Sequence, residues 1–407
     1  MAVNRADEDC CKISFIGDIM CEKPLLKASR SSTGYQFGNV FKGTKRLFSA
    51  SDYVVGNLET VFAGAEAGYT KELYSFNTPD EFLDALKMSG IDLCVTANNH
   101  CLDRGIEGLT RTLDALDHRG ISHIGTYRSQ EDRDEIYIAK IGGVRIAFLA
   151  YTYGTGIKDN HFVLPEDKQY CVNLLMPQKI GSPIQYRSCD SISLKGKVVR
   201  HIPEEWRLKL KKKLNRPVGS PRVDELWDEL LDETLIERLI NDIKMAKTQA
   251  DIVVLNIHNG GQFNKSPGKY SEYIMELCAK EGADIIVGHH PHVVQRFERI
   301  HGVPCAYSLG NYSISPSTPY MLFENLPEFS VAFHIYLQNK KIKKLTFSIL
   351  KIVEDKHGKM RVYDTAELYA KESWRTESIY KDIKTIYLRF TNYQKIDNFR
   401  VQTEYEL

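Results

Sequence analysis

The chain has 407 residues, 43% of them hydrophobic and 26% charged, with a formal net charge of +1. That is the composition of a folded protein with a substantial core, long enough for one large domain with insertions or for two domains. The near-zero charge excludes a global field steering the chain to nucleic acid or to a membrane, so any recognition of charge has to be local.

The first residues, "MAVNRADEDCCKISFIGD", hold no apolar core of leader length. No apolar run reaches the roughly 18 residues of a transmembrane helix. Nine cysteines are scattered without a CxxC pair, and only Cys10 and Cys11 are adjacent. This argues against a cysteine zinc site and against a disulfide framework, and it fits a reducing, cytoplasmic setting. A chain trimmed of an extracellular leader or a membrane anchor would read the same.

In chain order, "KISFIG" from Lys12 and "DYVVGN" from Asp52 read as strands. "TPDEFLDALKMSG" predicts a helix with Thr78 as its cap, Pro79 at the first helical position and Gly90 as its stop. "IDLCVT" from Ile91 is a strand, and "GIEGLTRTLDALDHRG" then puts Ile106, Leu109, Leu113 and Leu116 on one helical stripe before Gly120. "VRIAFLAY" from Val144 is a further strand.

From about Thr155 to about Asp232 the rhythm stops. This stretch contains "EEWRLKLKKKLNRPVGSPR" and reads as an insertion with one basic helix near Trp206 to Leu214. Its charges read either as a solvated face or as a basic rim over an anionic substrate. Next, "DETLIERLINDIKMAKTQA" leads into the strand "DIVVLNI" from Asp251, and "SPGKYSEYIMELCAKEG" leads into "ADIIVG" from Ala283. "VPCAYSLG" from Val303 is the last clear strand, and "AELYAKESWRTESIYKDIKTIYLRFTNYQ" reads as one or two helices packed on the domain. Near-continuous apolar strands alternating with helices predict an α/β layered fold, its strands buried on both faces. The expected division is a domain over 12–354, with the insertion at about 155–232, and a helical extension over 355–407.

Side chains in such sheets collect for chemistry at the carboxyl ends of strands. Here those ends carry Asp18 in "GDIM", Asn57 and Glu59 in "GNLE", and Asn98, Asn99, His100 and Asp103 in "NNHCLDRG". The later ends carry His258 in "HNGGQFN" and His289, His290 and His292 in "GHHPH". Each alone reads as a cap, a turn or a satisfied histidine. Together they supply the carboxylate, amide and imidazole donors that suit zinc, manganese or iron. Two divalent cations about 3.5–4 Å apart need a bridging carboxylate within a mixed oxygen and nitrogen shell.

The order "GDIM … GNLE … NNHCLDRG … H … GHHPH … SLGN" resembles the CapA capsule-biosynthesis family, associated with poly-γ-glutamate capsules and similar to the calcineurin-like metallophosphoesterases. The resemblance covers Lys12 to Ile314 apart from the insertion. It implies a layered, metallophosphoesterase-like sheet core holding two divalent cations that activate water. By that resemblance, Asp18 binds the first metal and Glu59 bridges. Asn99 and His258 bind the second metal, and His290 and His292 serve one metal each. His100 is implied as the general acid, with Asp103 orienting it. Asn57, Asn98 and His289 are expected as substrate contacts or supports of the ligands. Asn311, in "SLGNYSIS", is expected as a loop residue near the site with a structural or a functional role.

The chain departs from the phosphoesterase pattern at three points. Met20 stands where Asp-x-His has its histidine, so the first metal lacks one nitrogen donor. Glu59 replaces an aspartate, and Gln262 stands where relatives carry an acid. The expected function is a metal-dependent hydrolase or transferase linked to capsule or poly-γ-glutamate biosynthesis. Its substrate would be an anionic polymer or a small phosphate-containing molecule, with a capsule synthase as a possible partner. The alternative is a non-catalytic or weakly metal-binding protein that holds an anionic polymer or a synthase partner.

Overall fold

The computed structural model describes residues 10–178, 206, 210, 213, 214, 224–321, 325–371 and 376–407. In chain order the strands are β1 (Cys11–Ile19), β2 (Arg30–Ser31), β3 (Gly34–Tyr35), β4 (Tyr53–Leu58), β5 (Leu93–Val95), β6 (Ser122–Ile124), β7 (Ile138–Ile141), β8 (Val144–Thr152), β9 (Ile252–His258), β10 (Ile285–His289), β11 (Phe297–Ile300), β12 (Val303–Ala306), β13 (Asn311–Ser313), β14 (Phe329–Gln338), β15 (Lys341–Glu354), β16 (Met360–Asp364) and β17 (Tyr405–Glu406). The larger sheet has the order β16-β15-β14-β1-β4-β5-β6, with β13 beside β1 and β17 beside β15. The smaller has the order β11-β12-β10-β9-β8-β7.

In each sheet a parallel block carries the expected strand–helix rhythm: β1, β4, β5 and β6 in one, β8, β9, β10 and β12 in the other. Phe15, Val55 and Phe333 from the larger sheet and Phe148, Val254 and Val287 from the smaller share one buried cluster. The main core therefore lies between the sheets. A second cluster covers the larger sheet's outer face, with Phe82 and Leu86 of the helix Glu81–Ser89. A third covers the smaller sheet's outer face, with Leu239 and Ile243 of the helix Glu233–Gln249 and Ile274 and Cys278 of the helix Lys269–Glu281. The strands are thus buried on both faces, as their near-continuous apolar runs require.

Some local expectations shift. The helix expected to be capped by Thr78 starts after Asp80 instead. The Thr78 hydroxyl is instead 2.7 Å from Thr60 Oγ1, away from the helix start. Gly90 does end that helix, at φ 97, a conformation glycine adopts without strain. Of the insertion's first part, Leu164, Cys171 and Leu174 pack on Leu109 and Leu113 of the helix Gly105–Asp117. The basic helix expected near Trp206 to Leu214 lies outside the described residues, apart from Trp206, Leu210, Lys213 and Leu214.

The region past Ile314 is richer in strands than its sequence announced. β14 and β15 form a long hairpin through Asn339 and Lys340, both left-handed at φ 53 and 62, the geometry of a tight two-residue turn. The tail holds the helices Thr365–Lys371 and Thr376–Thr391, yet it also contributes β16 and β17 to the larger sheet. Among the described residues, no helix is long and apolar enough to cross a membrane.

Candidate metal centre

The strand ends marked in the sequence meet at one edge of the two sheets. Asp18 is the next-to-last residue of β1, Asn57 lies near the end of β4 with Glu59 just beyond it, and Asn98–Asp103 lie in the loop after β5. His258 closes β9 and His289 closes β10. Asp18, Glu59 and His258 are fully buried, and Asn57, Asn98, Asn99, His100, Asp103, His289, His290 and His292 are also buried.

Hydrogen bonds tie the two sheets together here. Asn57 Nδ2 donates to Asp18 Oδ1 at 2.7 Å and lies 3.2 Å from His258 Nδ1. His258 Nε2 is 2.6 Å from Asn99 Oδ1. Both of those atoms carry lone pairs once the imidazole is deprotonated there, so a cation can take the proton's place between them. His292 Nδ1 lies 3.1 Å from Asp18 Oδ2 and 3.0 Å from Asn311 Oδ1, which leaves its Nε2 on the side of Glu59 Oε1, 3.7 Å away. Asn98 Nδ2 donates to the Leu58 carbonyl at 2.7 Å, and its Oδ1 accepts from His100 N at 3.0 Å, which fixes the loop.

Donor atoms of Glu59, His290 and His292 lie within 4.8 Å of one another, and so do those of Asp18, Glu59 and His258. Glu59 belongs to both triads. Its Oε1 has no hydrogen-bond partner, and neither has His290 Nδ1. Orphaned, buried donor atoms of these types fit a divalent cation, which would satisfy all of them at once.

The electrostatics point the same way. Burial opposes ionisation of Asp18, but the hydrogen bond and charge of His292, the charge of His289 and the Asn57 amide outweigh it and hold the carboxyl below its ordinary value. Glu59 receives only a 3.5 Å contact from Asn57 Nδ2. Burial, then the charges of Asp18, Asp103 and Glu22, push it well above the ordinary value. Burial and the neighbouring imidazoles, His290 first, push His258 well below its ordinary value. Burial likewise lowers His289 to about 4 and His290 to about 3. At neutral pH these imidazoles are neutral, the form in which histidine binds metal. A bound cation would reverse the logic at Glu59 and favour its carboxylate.

His100 and Asp103 form a separate buried pair. His100 Nδ1 is 2.8 Å from Asp103 Oδ2, the same oxygen that accepts from Phe76 N at 2.6 Å. The carboxylate can only accept, so His100 carries its proton on Nδ1, and Nε2 is left for other work. Phe76 packs on the ring, with centroids 4.5 Å apart.

His289 stands beside a ligand, while Asn311 differs from its expected placement. His290 and His292, just past the end of β10, are left-handed at φ 95 and 57. His289 Nδ1 ends 3.6 Å from Asp18 Oδ1, yet His289 belongs to neither triad. Asn311 is not in a loop: it opens β13, which pairs with β1 at Asp18. A Cβ at Gly17 would lie 1.8 Å from the Gly310 carbonyl oxygen, so this close approach of strands requires glycine. Asn311 Nδ2 donates to the His292 carbonyl at 2.7 Å and to the Pro327 carbonyl at 3.0 Å.

Sequence reading missed Tyr153, whose ring lies 4.8 Å from that of His290 and parallel to that of His258. Its one available signal was its place just past the end of the "VRIAFLAY" strand. Met20 is buried in the apolar cluster on the larger sheet's outer face.

Residues 12–316 match the sequence pattern of the bacterial capsule synthesis protein family PGA_cap, close to the span of the motif blocks. The chain is 26% identical over 313 residues to the PGA biosynthesis protein CapA of Bacillus subtilis (strain 168), covering 76% of this chain and 65% of that protein. It is 26% identical over 314 residues to the capsule biosynthesis protein CapA of Bacillus anthracis, covering 76% and 61%. The chain thus spans just under two thirds of the length of these relatives. Among solved structures, the NAD nucleotidase NadN of Haemophilus influenzae aligns with 93% of this chain and 60% of its own, at 13% identity and a TM-score of 0.37.

Proposed function

The chain belongs to the bacterial capsule synthesis protein family PGA_cap, and from that premise we propose that it is a metal-dependent hydrolase or transferase serving the biosynthesis of a poly-γ-glutamate capsule. The observation that carries this reading is Glu59, a fully buried carboxyl shared by two donor triads with one oxygen unpartnered. In this reading Asp18, Glu59, Asn99, His258, His290 and His292 would hold the cations, with Glu59, common to both triads, shared between them. Manganese, zinc or iron suits such donors. Bound cations would supply Lewis acidity, lowering the pKa of water and offsetting negative charge on the reacting group.

The chain's own residues do the rest. Asn57 holds the Asp18 carboxylate through a 2.7 Å hydrogen bond, and Asn311 clamps His292 from its ring and its backbone side. Burial keeps bulk water from the donors and strengthens their interactions. Asp103 fixes the Nδ1 proton of His100, so Nε2 is the atom that holds or delivers a proton to a leaving group. The bond cleaved is a phosphoester or a γ-glutamyl amide.

A second reading, a binding protein that holds an anionic polymer or a synthase partner, is favoured by two observations. Met20 gives β1 no nitrogen donor, and His100 is only 4% exposed. Hydrolysis assays separate the two readings. Bis-p-nitrophenyl phosphate and γ-glutamyl peptides are supplied to the native protein, to the protein in EDTA and to the manganese-restored protein. Turnover lost in EDTA and regained with manganese supports the enzyme. No turnover in any state, with metal bound, supports the binder.

A further inference from the structure

Beside the metal centre, the segment after β1, residues 71–73, the loop after β13 and the turn at His357 and Gly358 line a pocket of about 560 Å³. Glu22 and Thr318 line it and are 2% and 1% exposed. Glu22 Oε2 accepts from Ser315 N at 3.1 Å, whereas Glu22 Oε1 and Thr318 Oγ1 have no hydrogen-bond partner. A buried carboxyl oxygen and a buried hydroxyl left unmade together are costly, and each calls for a partner brought from outside.

The mouth has the opposite character. Lys23, Lys27 and Lys71 line it, exposed and without an ion pair among the described residues. Glu72, the other acid on the rim, is engaged by Arg104 at 3.3 Å. The pocket is therefore an acceptor at its floor and a ring of cations at its mouth. A matching ligand offers a cationic donor inward and carboxylates outward. Tyr320 lies between the two: burial first, then the charges of Glu22, Tyr74, Glu59 and Asp103, push its phenol well above its ordinary value. Its ring packs 5.2 Å from that of Tyr74, two residues before the Phe76 amide that donates to Asp103.

We propose that this pocket binds the amino end of a glutamyl chain, its α-ammonium on Glu22 and Thr318 and its carboxylates on Lys23, Lys27 and Lys71. The choice of a glutamyl unit rests on the capsule-polymer reading above; the polarity, ammonium inward and carboxylates outward, rests on the pocket alone. A volume of this size suits a short peptide. Burial, with the Glu354 charge in the same sense, raises the Glu22 carboxyl to about 8, and an arriving ammonium favours its ionised form.

The test is calorimetric binding to the full chain kept in EDTA, so that a failed metal centre and a failed pocket give different results. The probes are γ-glutamyl-glutamate and its desamino analogue glutaryl-glutamate. The wild type is expected to bind the dipeptide about tenfold tighter than the analogue, the value of one charge-assisted hydrogen bond. Glu22→Gln is expected to abolish that discrimination, and the combined Lys23→Ala, Lys27→Ala and Lys71→Ala variant is expected to lose both probes. The lysines are exposed, so this variant keeps the test decisive even where Glu22→Gln does not fold. Absence of dipeptide binding to the wild type, equal binding of the two probes, or unchanged binding in the lysine variant overturns the proposal.

Discussion

The sharpest consequence of the donor geometry concerns Glu59→Gln. The Glu59 side chain is fully buried, its Oε1 is unpartnered, and burial together with Asp18, Asp103 and Glu22 pushes its carboxyl well above the ordinary value. Without divalent cations the group is a liability, because a buried charge without a partner costs at least the roughly 1–3 kcal/mol of an unpaired buried polar group. Glutamine keeps the shape and removes the charge that Asp18 opposes. The variant in EDTA is therefore expected to be more stable than the wild type by about 1–3 kcal/mol. With an unfolding entropy of about 2 cal/mol/K per residue, a chain of this length gains roughly 1 °C per kcal/mol, so Tm should rise by about 1–3 °C. Manganese reverses the order. At about 100 times Kd a ligand stabilises by about 2.7 kcal/mol, and the variant, lacking the shared carboxylate, should gain little of that. Thermal scans with EDTA and with manganese read both signs. A variant less stable in EDTA that keeps the full manganese shift would refute the reasoning, making Glu59 an ordinary structural acceptor.

Further outcomes follow from other residues. His100→Ala is expected to lower turnover by about 10²–10⁴ while leaving metal content unchanged, and intact turnover would remove the general-acid role. Arg133 and Asp242, 4% and 5% exposed, pair through two hydrogen bonds of 3.1 and 2.6 Å, and Tyr151 donates to the same carboxylate. Asp242→Ala strands a buried cation and should cost about 3–5 kcal/mol in urea unfolding; a cost under about 1 kcal/mol would contradict the buried pairing. Burial alone would raise Glu404, but Lys12 at 2.8 Å, Thr346 and Tyr336 bring it down to about 2. Its folded value is depressed, so its contribution is present above the unfolded value of about 4.3 and is lost as pH falls toward about 2. Glu404→Gln should flatten stability against pH in that window, and an unchanged acid profile would count against the assignment.

The site was largely legible because its donors sit at the ends of strands whose apolar runs are unmistakable, as at "DIVVLNIH" and "ADIIVGH". Strand ends in parallel blocks converge by topology, so order along the chain was enough to bring Asp18, Asn57, Asn99 and His258 together. What escaped depends on backbone or tertiary detail. Left-handed His290 and His292 carry no sequence mark comparable to glycine, so the backbone turn after β10 was hidden. Asn311 lies in a three-residue strand, too short for any period to show. Thr78 looked like a cap because nothing local reveals its bond to Thr60. Glu22 is an isolated acid in sequence, and its burial depends on the chain near Ser315 folding over it, 293 residues away.

The central claim, that Glu59 joins two donor triads around divalent cations, is tested most directly by elemental analysis of the natively purified chain beside Asp18→Ala and His258→Ala. About one to two ions of manganese, zinc or iron per wild-type chain are expected, with a clear loss in each variant. A wild type free of these metals, whose melting temperature manganese and zinc leave unmoved, would contradict it.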